Sequence, residues 1–112
     1  LIESYRFGEV VVAGSRFTTD ITINSSGSAS DWWRREGHVV NLEDLKDVLS
    51  EDLEVLVIGT GSSGALVVPN TVREYLRDRS IELIDQRTGS ACEIYNRLLG
   101  HKKVALAIHL TC

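Results

Sequence analysis

Apolar residues along this chain change their rhythm near residue 50. Before that point they come in short bursts. Glu9-Val-Val-Val-Ala13 reaches Gly14-Ser15, Arg16 to Thr19 continues, and Asp20-Ile-Thr-Ile-Asn24 alternates until Ser25-Ser-Gly-Ser28 breaks it. β-Branched residues bounded by turn residues predict a meander of short antiparallel strands. Trp32-Trp33-Arg34-Arg35 follows, and an extended backbone there sends the two indoles to opposite faces. Next, Leu42, Leu45, Val48 and Leu49 fall on one helical stripe. Asn41 is placed to cap the free amides, and Glu43 and Asp44 sit where the helix dipole favours negative charge. This predicts a capped amphipathic helix running to Leu49.

Beyond residue 50 strands and helices alternate. Glu54-Val-Leu-Val-Ile58 has no polar face, as a strand covered on both sides requires. Val72 to Arg79 reads as a short helix after Pro69-Asn70, and Ile81 to Ile84 as a second strand. Thr88 to Leu99 reads as a longer helix, with Thr88 as its N-cap and Gly100 as its stop. Val104-Ala-Leu-Ala-Ile-His109 is the last strand, followed by Leu-Thr-Cys112. Strands separated by helices pair in parallel through right-handed crossovers. The predicted class is therefore α/β (mixed α+β): a small α/β layer carrying an N-terminal β-meander. Residues 1–112 read as one domain without repeat, low-complexity tract or linker.

Composition narrows the function classes. With 43% hydrophobic and 25% charged residues, the 112-residue chain has the make-up of a globular domain with a real core. A net charge of −4 argues against nucleic acid or an anionic membrane as partner, because both attract excess Lys and Arg. No apolar run approaches the roughly 18 residues of a membrane span, and the first residues lack a signal peptide's basic and apolar regions. The expected location is the cytoplasm. The sequence begins without methionine, so residues before Leu1 are expected. Cys92 and Cys112 form neither a disulfide framework nor a zinc pattern, so no metal and no cofactor is expected.

Four groups of residues invite chemistry. Gly59-Thr-Gly61-Ser62-Ser-Gly64 spells G-x-G-x-x-G after a strand, and Asp85 closes the next strand, the outline of a dinucleotide site. Such a site needs a helix starting inside the glycine loop. Here Ala65-Leu-Val-Val68 and Pro69 delay the helix, so the glycines read as a sharp, closely packed turn. The loop still lies at the sheet edge where α/β proteins form crevices. Gln86-Arg87-Thr88 should line the same edge, with Arg87 able to hold a small carboxylate or phosphate or simply to pair with a neighbour. Gly59, Gly61, Ser62, Arg87 and Thr88 are therefore the candidate ligand site.

His109 and Cys112 suggest an activated thiol, but period-two geometry puts His109 with Thr111 and sends Cys112 to the other face. Cys112 should thus tolerate Ser, while loss of Leu110 to Cys112 should cost stability. Trp32, Trp33 and Arg34 are a candidate partner surface, since Trp and Arg are enriched at interfaces. The bland alternative is one Trp in the core and one at its edge. Four basic and aromatic residues in an acidic chain are too few for a nucleic-acid platform.

Asp31-Trp-Trp-Arg-Arg-Glu-Gly-His38, Val55-Leu-Val-Ile-Gly-Thr-Gly61, Tyr95-Asn96 and Ala107-Ile-His-Leu-Thr-Cys112, in this order and spacing, resemble the Mth-domain-like family of small domains of unknown function. Its eukaryotic relatives include the adipogenesis-associated Mth-domain protein and a mitochondrial complex I assembly factor. The resemblance spans the whole chain. It implies a three-layer β+α/β/α fold around a mixed five-stranded sheet, and brings no catalytic residues. It favours a non-catalytic interaction or assembly module with an unidentified protein partner, homodimerisation included. The alternative is an enzyme or binding domain holding a small anion at the Gly59–Gly64/Arg87 edge.

Overall fold

A computed structural model describes residues 1–112. Strands β1 (Ile2–Arg6), β2 (Glu9–Val12) and β3 (Ser15–Phe17) form an antiparallel sheet in that order. Two further short strands, β4 (Ile21–Ile23) and β5 (Ala29–Asp31), leave the meander and join β6 (Val55–Gly59), β7 (Glu82–Gln86) and β8 (Val104–Ile108). The order in this second sheet is β5-β4-β8-β6-β7. The pairs β6/β7 and β6/β8 are parallel, while β4/β8 and β4/β5 are antiparallel. The sheet is thus mixed and five-stranded, and β8 sits at its centre.

Two apolar clusters lie on its two faces, sorted by the period of two. Val55, Val57, Leu106 and Ile108 face a layer made of α2 (Thr88–Leu98) and the three-stranded sheet. Leu56, Ile58, Ala105 and Ala107 face α1 (Asn70–Asp78), Trp32 and Leu45. All five residues of β6 and of β8 are buried, as the absence of a polar face predicts. The result is the three-layer β+α/β/α arrangement. No helix is long and apolar enough to cross a membrane.

The sequence-based helix from Asn41 to Leu49 is shorter than its apolar stripe. Only a 3-10 turn, Leu42–Leu45, forms. Continuing as an α-helix would require Val48 N–H to bond the carbonyl of Asp44. That carbonyl instead accepts the indole N–H of Trp32 at 2.8 Å, and Val48 N–H turns to Leu45 O at 3.0 Å. The cap survives as Asp44 carboxylate accepting from Asn41 N–H at 2.8 Å. Thr22, placed on the polar face by alternation, is buried and shares a 3.1 Å hydrogen bond with the Ser30 hydroxyl. The residue capping α2 is Arg87, not Thr88, which lies inside the first turn.

Candidate functional site

Strand β6 delivers the glycine loop to the edge where β6, β7 and β8 all end. A Cβ on Gly59 would stand 2.7 Å from Ile108 Cγ2 and 2.9 Å from Thr88 Oγ1, so only glycine lets β6, β8 and α2 meet there. Gly61 N–H donates to Thr88 Oγ1 at 2.9 Å, and the Thr88 hydroxyl donates onward to His109 O at 2.6 Å. The side chain of Thr88, fully buried, is therefore a clamp between the loop and the end of β8.

The amides that would cradle a phosphate have partners within the chain. Ser62 N–H bonds Thr111 O at 2.6 Å, Ala65 N–H bonds Cys112 O at 2.9 Å, and Thr60 N–H bonds Gln86 O at 2.8 Å. Ser63 Oγ also donates to Cys112 O at 2.7 Å. The glycine loop thus holds the strand that leaves the sheet beside it. Asp85, the acid of the dinucleotide outline, forms a two-point ion pair with Arg73, whose Nη1 lies 3.3 Å from Oδ1. Arg87 is exposed, has no ion-pair partner, and lays its guanidinium stem over Gly64. Of the candidate ligand residues, Gly59, Gly61, Ser62 and Thr88 come together at this edge and serve its packing. Arg87 alone presents a free charge.

A buried polar network adjoins that edge and was only partly legible in the sequence. Asp20 Oδ2 lies 2.8 Å from His109 Nδ1 and 2.9 Å from Arg34 Nη2, and Asp20 Oδ1 accepts Leu110 N–H at 2.8 Å. An ionised carboxylate only accepts, so Nδ1 of His109 carries a proton. The 3.3 Å approach of Arg34 Nη2 to that nitrogen then joins two donors and adds no bond of its own. In the neutral ring Nε2 is the acceptor, facing the Thr111 hydroxyl at 3.4 Å. Burial pushes the Asp20 carboxyl up, but hydrogen bonds from His109, the Leu110 amide and Arg34 outweigh it and hold it below the usual aspartate value. Arg34 also donates through Nε and Nη2 to Gly37 O, and its guanidinium lies 4.5 Å from the Trp32 ring. Its Nη1 is buried without a hydrogen-bond partner, and the cation–π contact of the guanidinium with Trp32 offsets part of that cost.

A hydroxyl, an imidazole and a carboxylate in series share the order of a hydrolytic relay. None of the surface recesses is lined by Thr111, His109, Asp20 or Arg34. What the network does is tie β4, the Trp32–Gly37 segment and the end of β8 to one carboxylate. Register explains how Asp20 arrives. Ile21 faces Ile108 in the antiparallel β4/β8 pair, so one step further Asp20 meets His109.

The three candidate partner residues separate. Trp32 is buried, and the side chain of Arg34 is only 6% exposed. Trp33 is 79% exposed, so the two indoles do part. Trp33 therefore lies on a rigid base made by its neighbours. Both cysteines are free. Burial pushes the Cys92 thiol up to about 12, with Glu93 adding to it, which keeps it protonated and inert. Cys112 is exposed and contributes its carbonyl, not its sulfur, to the loop. Cys112→Ser should therefore shift unfolding free energy by no more than about 0.5 kcal/mol in urea titration.

Comparison with known proteins agrees with this architecture. A conserved hypothetical protein from Pyrococcus horikoshii OT3 is similar in structure over 100% of this chain and 99% of that chain, with 32% identity and a TM-score of 0.91. A Mth938-like domain from Bordetella pertussis shares the fold, with a TM-score of 0.72 at 22% identity over 97% of this chain and 84% of that one. NADH dehydrogenase [ubiquinone] 1 alpha subcomplex assembly factor 3 of Xenopus tropicalis is 31% identical over 70 residues, 61% of this chain. The match spans 38% of that relative's length. The family model described as a protein of unknown function (DUF498/DUF598) matches residues 2–109, and the chain belongs to this Mth-domain-like family.

Proposed function

We propose that this domain is a non-catalytic assembly module that works by docking another protein, in a reducing compartment such as the cytoplasm. The observation that carries the reading is Trp33. An indole 79% exposed costs solvation and solubility, yet its backbone is held between the buried Trp32 and the buried Arg34. A rigid, exposed aromatic is the kind of anchor on which interfaces concentrate their energy. The similarity to an assembly factor supports the same reading by analogy. The test is affinity purification after crosslinking in the native host, with the wild type and Trp33→Ala compared, together with size-exclusion chromatography. A partner in stoichiometric amount, a second copy included, should be recovered with the wild type and lost with the variant. A monomer with no stoichiometric partner would end the proposal.

The unpaired guanidinium of Arg87 over Gly64 favours a second reading, a small carboxylate or phosphate bound at that edge. Inorganic phosphate and simple dicarboxylates should then raise the melting temperature of the wild type and not of Arg87→Ala. A flat response in the wild type would remove this reading.

A further inference from the structure

Trp33 and the edge of Trp32 line a recess of about 230 Å³ whose walls also carry four carboxylates, Asp31, Glu43, Asp44 and Asp47, against one ammonium, Lys46. These groups differ in how far they are already engaged. Asp44 is buried, its carboxylate accepting from Asn41 N–H and from Arg35 N–H. Glu43 is paired with Arg35 at 2.6 Å. Asp31 accepts one hydrogen bond from Thr19 Oγ1 at 3.0 Å and has no cationic partner. Asp47 is exposed and has no hydrogen-bond or ion-pair partner at all. Two carboxylates with spare acceptor capacity thus line the same hollow as an indole whose face is open to solvent.

The protein already shows the matching interaction one residue away. On the inner side of the segment the guanidinium of Arg34 lies over Trp32, with Asp20 as its carboxylate. On the outer side Trp33 and the recess carboxylates offer a cation the same two kinds of partner, a π face and an anion. From this we infer that the occupant of this surface is a protein segment presenting an arginine or lysine, its cationic head entering the recess between Trp33, Asp31 and Asp47. Guanidinium is the better fit, since its flat face stacks on an indole while its N–H fork serves carboxylates. A hydrophobic anchor alone would leave the unpaired Asp47 against apolar surface, and an acidic segment would be repelled. This inference rests on the docking reading and specifies its partner chemistry.

In ¹H–¹⁵N spectra of the ¹⁵N-labelled protein, the Trp33 indole N–H is free to report binding, and the amides of Ala91 and Tyr95, in the cluster on the opposite face of the sheet, are the control. The probe is a blocked Gly/Ser octapeptide with one central arginine, compared with lysine and citrulline versions. The arginine peptide should shift the Trp33 indole and the Asp31 and Asp47 amides saturably, leaving the Ala91 and Tyr95 amides in place. Binding should weaken about tenfold with Asp47→Lys, through charge repulsion. It should also weaken as salt rises from about 0.05 to about 0.3 M, because the charges are exposed. Citrulline, which keeps the shape and loses the charge, should not bind. Equal shifts with citrulline, or none with arginine or lysine, overturn the inference. The docking reading is judged separately. If the crosslinked partner is lost with Trp33→Ala yet survives both Asp47→Lys and excess arginine peptide, docking stands and a cationic occupant does not.

Discussion

Replacing Asp20 with alanine should lower unfolding free energy by about 3 kcal/mol, because it strips the carboxylate from a buried cation. The side chain of Arg34 is 6% exposed and that of His109 is 9% exposed, and both depend on Asp20. Without it, Arg34 keeps only Gly37 O and the Trp32 ring, and the Leu110 amide loses its acceptor. Asp20→Asn retains shape and one carbonyl acceptor, so it should fall between the wild type and Asp20→Ala in urea titration. Arg34→Leu should recover part of the loss in the Asp20→Ala background, since it removes the orphaned charge and leaves only the Leu110 amide and the His109 ring without their acceptor. A loss below about 1 kcal/mol for Asp20→Ala would mean that water reaches Arg34 and solvates it.

The same carboxylate makes a prediction in pH. Its folded value lies below the ordinary aspartate value, so its contribution is fully present above that ordinary value, near pH 4. The contribution is lost progressively as pH drops from that ordinary value through the lower folded one, because over that range the unfolded chain takes up the proton and the native carboxylate does not. The stability of the wild type should therefore fall between neutral pH and about pH 3 more than that of Asp20→Asn, whose side chain does not titrate. Parallel curves for the two proteins would show that Asp20 is not the group involved.

Gly61→Ala is expected to be the most damaging change at the glycine loop, costing about 2–5 kcal/mol when strain and overpacking are taken together. Gly61 has φ +99°, outside the range that side chains tolerate. A Cβ there would stand 2.3 Å from the Cys112 carbonyl carbon and 2.9 Å from Thr111 O. These are backbone atoms and cannot swing aside as a side-chain tip can. Relief requires residues 111 and 112 to move off the loop, breaking the bonds from Ser62 and Ala65. Hydrogen exchange at those two amides should accelerate together with the loss of stability. Gly100→Ala is the control: its φ is +87° but nothing lies within 4 Å of the added carbon, so it should cost only about 1 kcal/mol. Equal losses at the two positions would show that backbone strain alone, and not the packed strand end, limits Gly61.

These cases show which features a linear reading reaches. The run Glu54–Ile58 announced a strand buried on both faces, because it has no polar face to give to water, and the run Val104–His109 announced the last strand. Pro69 placed the start of α1, which leaves the glycine loop without the helix N-terminus that phosphate binding needs. Alternation told the two indoles apart without saying which would be buried. The resemblance carried by residues 31–38, 55–61, 95–96 and 107–112 identified the family and its three layers.

What the sequence by itself determined, then, is the strands β6, β7 and β8, the helices α1 and α2, their polarity and the family, because periodicity and capping act over a few residues and leave a local trace. The tertiary structure alone decided that Asp20 meets His109 and Arg34, 89 positions along the chain in the first case. It also decided that Asp44 gives its carbonyl to Trp32 and so stops a helix, and that the glycine loop's amides go to Thr111 and Cys112. Each of these depends on sheet register or on competition for one carbonyl. Neither quantity is written in any local window of residues, because both are set by where distant strands come to rest.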